Sequence, residues 1–358
     1  MKKRNIIIIV AVALVVAVAA VVALRGSRKA TIKQDYHIEH PETVTKIYMA
    51  DKQEWEVTLS KVTDSLWMVD GKYEANLPVV NDLLATLHNI RMREMVNKNA
   101  IPTVVKDLSA RAIKVEVYQR VPFINWFGGR LQLFPHEKRT VTYYVGRETK
   151  DMLGSYLFRE GDKTPCVVHI PGFRGFITPR FVTEPLKWRS RTIVDLDVRQ
   201  IERIDLDIPA MPAESFAVVR NGEGFDLELK AEHRRVAQFD TARVAQLLSS
   251  FTWLCFDEFA SIVPNNNADS CIALGERTVL RVEDTAGNVH TVRSYIKYNN
   301  PEDLKAVPDP EMYEVFDVDR LYAVIDDRDT VLIQYFVFDN ILQPAAYFLG
   351  RDVALEIQ

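Results

Sequence analysis

The sequence has little that would staple or specialise it. Its three cysteines, Cys166, Cys255 and Cys271, stand far apart. An odd count without a close-spaced pair argues against a disulfide framework or a zinc site. Cys166 in "PCVVHI" and Cys255 in "WLCFDEF" lie in apolar, strand-like runs. They read as small buried hydrophobes, with a Cys255–Cys271 bridge as the alternative in an oxidising compartment. No segment is low-complexity and no heptad array is sustained. A Gly-x-Ser-x-Gly elbow is missing, and Ser155 in "LGSYL" falls in a strand-like run, so nucleophile chemistry has no motif here. Basic surface is missing too. The first 30 residues hold six Lys/Arg and no Asp/Glu, which leaves 39 basic and 49 acidic residues in the rest. A phosphate backbone needs a basic face, so no nucleic-acid partner is expected.

What is present begins with "IIIIVAVALVVAVAAVVAL", Ile6 to Leu24, an apolar run without a charge. As a helix it spans roughly 28 Å, close to the hydrocarbon thickness of a bilayer. It is long for a cleavable signal peptide, and no cysteine near its end offers a lipid site. The expectation is an uncleaved anchor. A cleaved signal and a buried soluble helix are the alternatives. Lys2, Lys3 and Arg4 before the run and Arg25, Arg28 and Lys29 after it balance each other, so orientation is weakly marked. The default is an exported body; a cytoplasmic body on the same anchor is the other arrangement.

The chain holds 47% hydrophobic residues overall, and the body beyond residue 30 is long enough for two cores. Its organising signal is an internal duplication. "NLPVVNDLLATLHNI" from Asn76 and "DTARVAQLLSSFTWL" from Asp240 each follow a good N-cap. Val80, Leu83, Leu84, Leu87 and Ile90 share their spacing with Val244, Leu247, Leu248, Phe251 and Leu254, which predicts two helices with one common apolar stripe. Strand-like runs flank both. "VTKIYMAD" matches "IERIDLDI", "WEVTL" matches "SFAVV", and "SLWMV" matches "GFDLEL". After each helix come a strand ("RMREMV", "LCFDEF"), a polar break and a strand pair. Each copy ends in two short runs, "SYLFRE" and "PCVVHI" or "MYEVFD" and "LYAVID". The predicted fold is therefore α+β. An N-terminal transmembrane helix (1–30) and a linker (31–41) precede two tandem related units (42–193 and 197–345) and a C-terminal tail (346–358). Each unit is mainly antiparallel sheet with one main helix on a face.

Several stretches invite a chemical reading. In "HIPGFRGFITPRF" Arg174 and Arg180 are weak anion-site candidates. Pro171 followed by Gly172 predicts a turn instead, and Phe176–Phe181 is set against Leu332–Val337 of the second copy. "HIEH" places His37 and His40 at a metal-pair spacing without a third ligand and reads as linker. "DDRD", Asp326 to Asp329, reads as a solvated turn rather than a calcium loop. Trp188, Arg189 and Arg191 in "WRSRT" mark a candidate cleft between the copies, or arginine packing at their join. No cofactor or metal is predicted.

The clearest difference between the copies is one hairpin. The second copy has the ordinary turn "EDTAGNV"; the first has "RVPFINWFGGRLQLFPHEKR". Phe123, Trp126, Phe127, Leu131 and Phe134 make this a candidate interaction hairpin, because long loops are usually polar. Folding back over its own sheet, contact with a partner protein and dipping into a membrane interface are its three readings.

Taken together, the anchor, "DYHIEHPETVTKIYMAD", "LWMVDGKYEANLPVVNDLLATLHNIRM", "YYVGRETKDMLGSYLFREGDKTPCVVHIPGFRGFITPRF" and "WRSRTI" resemble a bacterial family known as domain of unknown function 4340. The likeness spans nearly all of the chain beyond residue 30. It implies a membrane-anchored exported protein of the inner membrane with its body in the periplasm. More loosely, it implies an accessory part of an envelope assembly such as an ABC-type transporter of the gliding-motility kind. No catalytic residue carries over. A non-enzymatic interaction protein is the leading expectation. An envelope glycan- or peptide-binding module is second, and a hydrolase built from a folded-together carboxylate pair is third.

Overall fold

In "VTKIYMA" the apolar residues Val44, Ile47 and Met49 are spaced by three and then two. A strand alternates every two residues, so the first step needs one extra residue. The computed structural model, which describes residues 36–126, 131–299 and 315–350, meets that need with a register shift between Val44 and Lys46. All three side chains then face the core. Ile201, Ile204 and Leu206 repeat the spacing, the shift and the burial.

The chain forms two compact units that divide between Arg189 and Ser190. In the first, the strands are β1 (Val44–Ala50), β2 (Glu56–Lys61), β3 (Trp67–Val69), β4 (Tyr73–Glu74), β5 (Arg91–Met95), β6 (Ile113–Trp126), β7 (Leu131–Glu148), β8 (Ser155–Arg159) and β9 (Cys166–His169). They make an antiparallel sheet in the order β4-β3-β2-β1-β6-β7-β8-β9-β5. Helix α1 (Leu77–Asn89) lays Val80, Leu83 and Leu87 into the main core with Ile47, Leu59 and Val117. On the other face α2 (Ile101–Arg111) packs Val104 and Leu108 against Val167, Tyr144 and Tyr156.

In the second unit, β10 (Thr192–Val194) pairs with β15 (Leu254–Cys255) as a separate ribbon. The main sheet holds β11 (Ile201–Asp207), β12 (Phe216–Asn221), β13 (Gly224–Leu229), β14 (Arg234–Arg235), β16 (Glu258–Phe259), β17 (Thr278–Asp284), β18 (Val289–Tyr298), β19 (Phe316–Ile325) and β20 (Asp329–Gln334). Its order is β14-β13-β12-β11-β17-β18-β19-β20-β16. Helix α3 (Thr241–Ser249) buries Val244, Leu247 and Leu248, and α4 (Ala268–Ile272) buries Ala268 and Cys271. Two short helices, α5 (Tyr335–Phe338) and α6 (Ala345–Phe348), follow β20.

The α+β class with mostly antiparallel sheet stands as expected from the sequence. Several details differ. The stretch "IPTVVKDLSAR" is a second helix in the first unit, because an apolar stripe only two residues wide, Val104 and Leu108, is enough to seat one amphipathic face. "LCFDEF" is not one strand: Leu254–Cys255 and Glu258–Phe259 join different sheets. The run "LYAVID" and the end of "MYEVFD" are one strand, β19. Leu332 lies in β20, whereas Phe176–Phe181 follows β9, so those two stretches do not occupy matching places. Asp240 caps α3 by accepting from the amides of Ala242 and Arg243. Asn76 makes no such bond, since Pro78 removes an amide of the first turn. The three thiols are free. The anchor Ile6–Leu24 lies outside the described residues. Among those described, no helix is long and apolar enough to cross a membrane.

Ile47→Ala removes a fully buried side chain at the centre of the first sheet and is expected to cost that unit roughly 2–5 kcal/mol. Hydrogen exchange followed by mass spectrometry checks this: amide protection should fall across β1, β2 and β6 while β11, β12 and β17 keep theirs.

Candidate functional site

The segment "RVPFINW" alternates β-branched and aromatic residues, which favours strand over loop. The aromatic hairpin is accordingly no loop, and its described part does not fold back over the sheet. The ladder of β6 and β7 continues to the pair Trp126–Leu131. Neighbouring pairings stop earlier: β1 reaches only to Gln119, and β8 only to Tyr143. From Arg120 outward, the two strands therefore form a free-standing ribbon. Pro122 and Pro135 stand opposite each other in it. Proline cannot donate a ladder bond, and on the open edges of a ribbon it discourages a third strand from adding. The pairs Pro122–Pro135 and Ile124–Leu133 place Phe123 opposite Phe134. These aromatics are 76% and 70% exposed. Phe134 holds a positive φ of 55°. Phe127 lies outside the described residues, as do the side chains of Trp126 and Leu131.

The ribbon's foot is braced. Thr45 Oγ1 and Lys46 Nζ both donate to the Glu137 carboxylate at 2.7 Å. Gln119 Nε2 donates to Thr43 Oγ1 at 2.8 Å and to the His40 carbonyl at 3.2 Å, and Thr140 Oγ1 donates to Gln119 Oε1 at 2.6 Å. The residues ahead of β1 are not a free linker. Tyr36 and Ile38 are buried in the core. Tyr36 donates its hydroxyl to Asp162 in the β8–β9 turn, its ring lies beneath Arg159, and its carbonyl accepts from Tyr143. Ile38 donates its amide to Leu87 at the end of α1. The chain thus enters the first unit at the end of the sheet from which the ribbon projects. Between this entry and the ribbon foot lies an open hollow of about 590 Å³ lined by His37, Glu39, Gln119, Arg139, Thr142 and Arg159. The buried Thr142 hydroxyl in its wall has no hydrogen-bond partner among the described residues.

The outer face beside the foot carries paired charges. Glu116, almost wholly buried, accepts from Tyr118 at 2.7 Å and Arg139 at 2.9 Å and meets Lys114 at 2.7 Å. Burial opposes its charge, but these bonds and the charge of Lys114 outweigh it and hold the carboxyl down at about 2. Tyr48, hydrogen-bonded to Glu56 and partly desolvated, is pushed up to about 12. The second unit has a similar lattice, with Arg203 bidentate on Asp205 and Lys230 between Asp205 and Asp207. This arrangement neutralises charge in place.

The other residues marked by the sequence are engaged structurally. Trp188 is buried. Its indole donates to the Val182 carbonyl at 2.9 Å, and its own carbonyl accepts from the amide of Asn76 at 2.7 Å. In the second unit the Asp240 amide donates to Phe348 in the same way at 2.8 Å. Arg189 stacks on Tyr73 at 3.9 Å within the first unit. Arg191 belongs to the second unit, donating to the Asp257 carbonyl at 2.6 Å and lying 3.5 Å from Glu258. Pro171 and Gly172 make the expected turn, with Gly172 at φ 81° and Phe173 donating back to Ile170 at 3.1 Å. Arg174 is exposed on it, while Arg180 reaches α1, donating to Thr86 at 3.0 Å and stacking on Phe173. His40 meets Glu42 at 2.9 Å, and no group of three metal-ligating side chains occurs among the described residues. Asp326 and Asp327, both at positive φ, form the β19–β20 hairpin turn. What the sequence did not show is the braced foot. The bonds from Thr43, Thr45, Lys46 and His40 reach 76 to 92 positions along the chain, and only the sheet register joins those residues.

A family model described as Domain of unknown function (DUF4340) matches residues 67–272, more than half of the chain. No curated protein and no solved structure matches.

The Glu116 carboxyl is held below its ordinary value in the folded state, so its contribution is present above about pH 4.5 and is lost as pH falls toward 2. Glu116→Gln should cost about 1–2 kcal/mol at pH 7, a figure reduced because Arg139 and Lys114 are partly exposed. Urea unfolding at pH 7 and pH 2.5 checks this, with the gap to the native chain closing at the lower pH. Tyr36→Ala should release the entry segment, read as faster amide exchange at residues 37–40 with β11–β13 unchanged.

Proposed function

The chain belongs to the DUF4340 family, and on that premise we propose that it is a membrane-anchored extracytoplasmic interaction protein, an accessory component of a cell-envelope assembly. Its anchor is the run Ile6–Leu24, in the inner membrane, with both units in the periplasm. The observation that carries the reading is the ribbon. A braced, proline-guarded arm presenting Phe123 and Phe134 to solvent suits contact with another surface and contributes nothing to the core. The short stretch between Leu24 and the buried Tyr36 supports a body held close to the membrane. An interaction role rather than catalysis is supported by charged groups that satisfy one another across the sheet faces. The link to an ABC-type transporter rests on the family resemblance alone.

We read the two units as products of one duplication. Their sheets share a strand order, and their central strands share a burial pattern and the position of a register shift. A second reading, a module that takes an envelope glycan or peptide, is favoured by the hollow at the ribbon's foot and by the unpartnered Thr142 hydroxyl in its wall.

Cell fractionation tests the reading. The full chain should stay in the membrane after alkaline carbonate washing. Added protease should degrade both units in spheroplasts but leave them whole in intact cells. Release by carbonate, or protection in spheroplasts, would overturn it.

A further inference from the structure

We propose that the ribbon of the first unit is a second membrane contact: Phe123 and Phe134 seat in the headgroup interface of the same bilayer that holds the anchor. The inference rests on the membrane-anchored reading and names the partner of the exposed arm.

Geometry carries it. The polypeptide enters the first unit at the ribbon end of the sheet, where Tyr36 is fixed to Asp162 and the His40 carbonyl to Gln119. Eleven residues, 25 to 35, separate Leu24 from Tyr36. Fully extended they reach at most about 40 Å. From its foot at Gln119 to its last described pair at Trp126, the ribbon runs seven residues, roughly 23 Å at strand spacing. An anchor therefore holds the ribbon end of this unit within about 40 Å of the bilayer, and the arm itself spans more than half that distance. Because Thr43, Thr45 and Lys46 grip the foot, the arm's direction is set by β1, the strand that the entering chain becomes.

Composition fits an interface rather than a protein groove. Large aromatics are favoured at the depth of lipid headgroups, where an apolar ring sits beside water. Between residues 120 and 139 the sequence holds four basic residues and one acidic one, Glu137; Glu137 is bonded to Lys46 and Arg139 to Glu116, so the basic excess comes from Arg120, Arg130 and Lys138. Cationic side chains flanking an apolar tip suit anionic lipid. The rest of the chain beyond residue 30 is acidic, so this excess of positive charge is local. Proline on the ribbon edge disfavours the strand-addition mode by which ribbons commonly join other proteins.

The test uses the full chain in vesicles of phosphatidylcholine with phosphatidylglycerol. A Cys255→Ser background leaves two buried thiols, and an environment-sensitive fluorophore is attached through Phe123→Cys or, separately, Phe134→Cys. Val289→Cys, exposed on the second unit, is the control. The expected result is a blue shift at 123 and 134 with strong quenching by nitroxide-bearing lipid, and water-like emission at 289. Water-like emission at both ribbon positions in a chain that still resists carbonate would overturn the ribbon contact and leave the anchored reading standing. A chain that carbonate extracts would overturn that reading and this one with it. In cells, a photo-crosslinker at 123 that joins a protein rather than lipid would overturn the bilayer as the partner.

Discussion

The pairing of β1 with β6 is the constraint on which the first unit depends. Four strands precede α1 and form one meander; the strands from β6 to β9 form another, with β5 at the far edge. Among the described residues, the one strand ladder that joins them runs from Val44–Gln119 to Ala50–Lys114. Such a contact, across some 70 residues, closes late and at an entropic cost, so its side chains must repay it. Val44, Ile47 and Met49 meet Val115 and Val117 with no exposed surface among them. The same ladder decides where the sheet ends. Because β1 begins at Val44, β6 has no partner on that side beyond Gln119, and everything further out is ribbon. The second unit has the corresponding ladder, β11 with β17, but there β17 ends at Asp284 and turns at once, with Asp284 accepting from the amides of Ala286 and Asn288.

A central strand pair of this kind leaves each sheet one face for the main helix, and the other for a smaller helix over one end and for water elsewhere. The outer face is where the charged lattices lie. Isolated surface pairs contribute little, but Glu116 is nearly buried, and removing its partners would leave a charge without solvent. The lattice beside the ribbon foot thus ties β6 to β7 where the two leave the sheet, through Arg139 and Tyr118 on a single carboxylate. Trp188 performs a comparable service at the other limit of the unit. Its carbonyl satisfies the Asn76 amide at the start of α1, a helix whose cap side chain makes no bond. That is why a residue marked as a cleft candidate by its neighbours, Arg189 and Arg191, is a core residue.

Much of this architecture was legible in the residues. The helical stripes from Val80 and from Val244 and the paired strand runs follow from periodicity, which is local. The spacing of Val44 and Ile47, three rather than two, even records the register shift. The failures share a physical origin. Helix α2 carries too narrow a stripe to stand out against a polar background. β4 and β14, two residues each, are strands only because a neighbour offers a ladder. The hairpin's extra length reads as a long apolar loop, whereas a two-stranded ribbon satisfies its backbone internally and can hold such side chains in solvent. The site is less legible than the fold, since Thr43, Gln119 and Glu137 acquire their roles from register alone.

The contrast between the two hairpins separates what folding requires from what it permits. Both sheets complete their strand order, but only one carries the extra ladder. The turn from Asp284 to Val289 shows that a few residues, held by one Asp side chain and Gly287 at positive φ, are enough to join such strands. The added length in the first unit buries neither Phe123 nor Phe134, so it gains little of the hydrophobic stabilisation that ordinarily justifies aromatic side chains. It also exposes edges that need proline to keep them from pairing. A costly feature absent from the companion sheet, braced by Thr45 and Lys46 of the strand through which the chain enters and by Thr43 just ahead of it, is better explained by a surface it meets than by the fold it leaves.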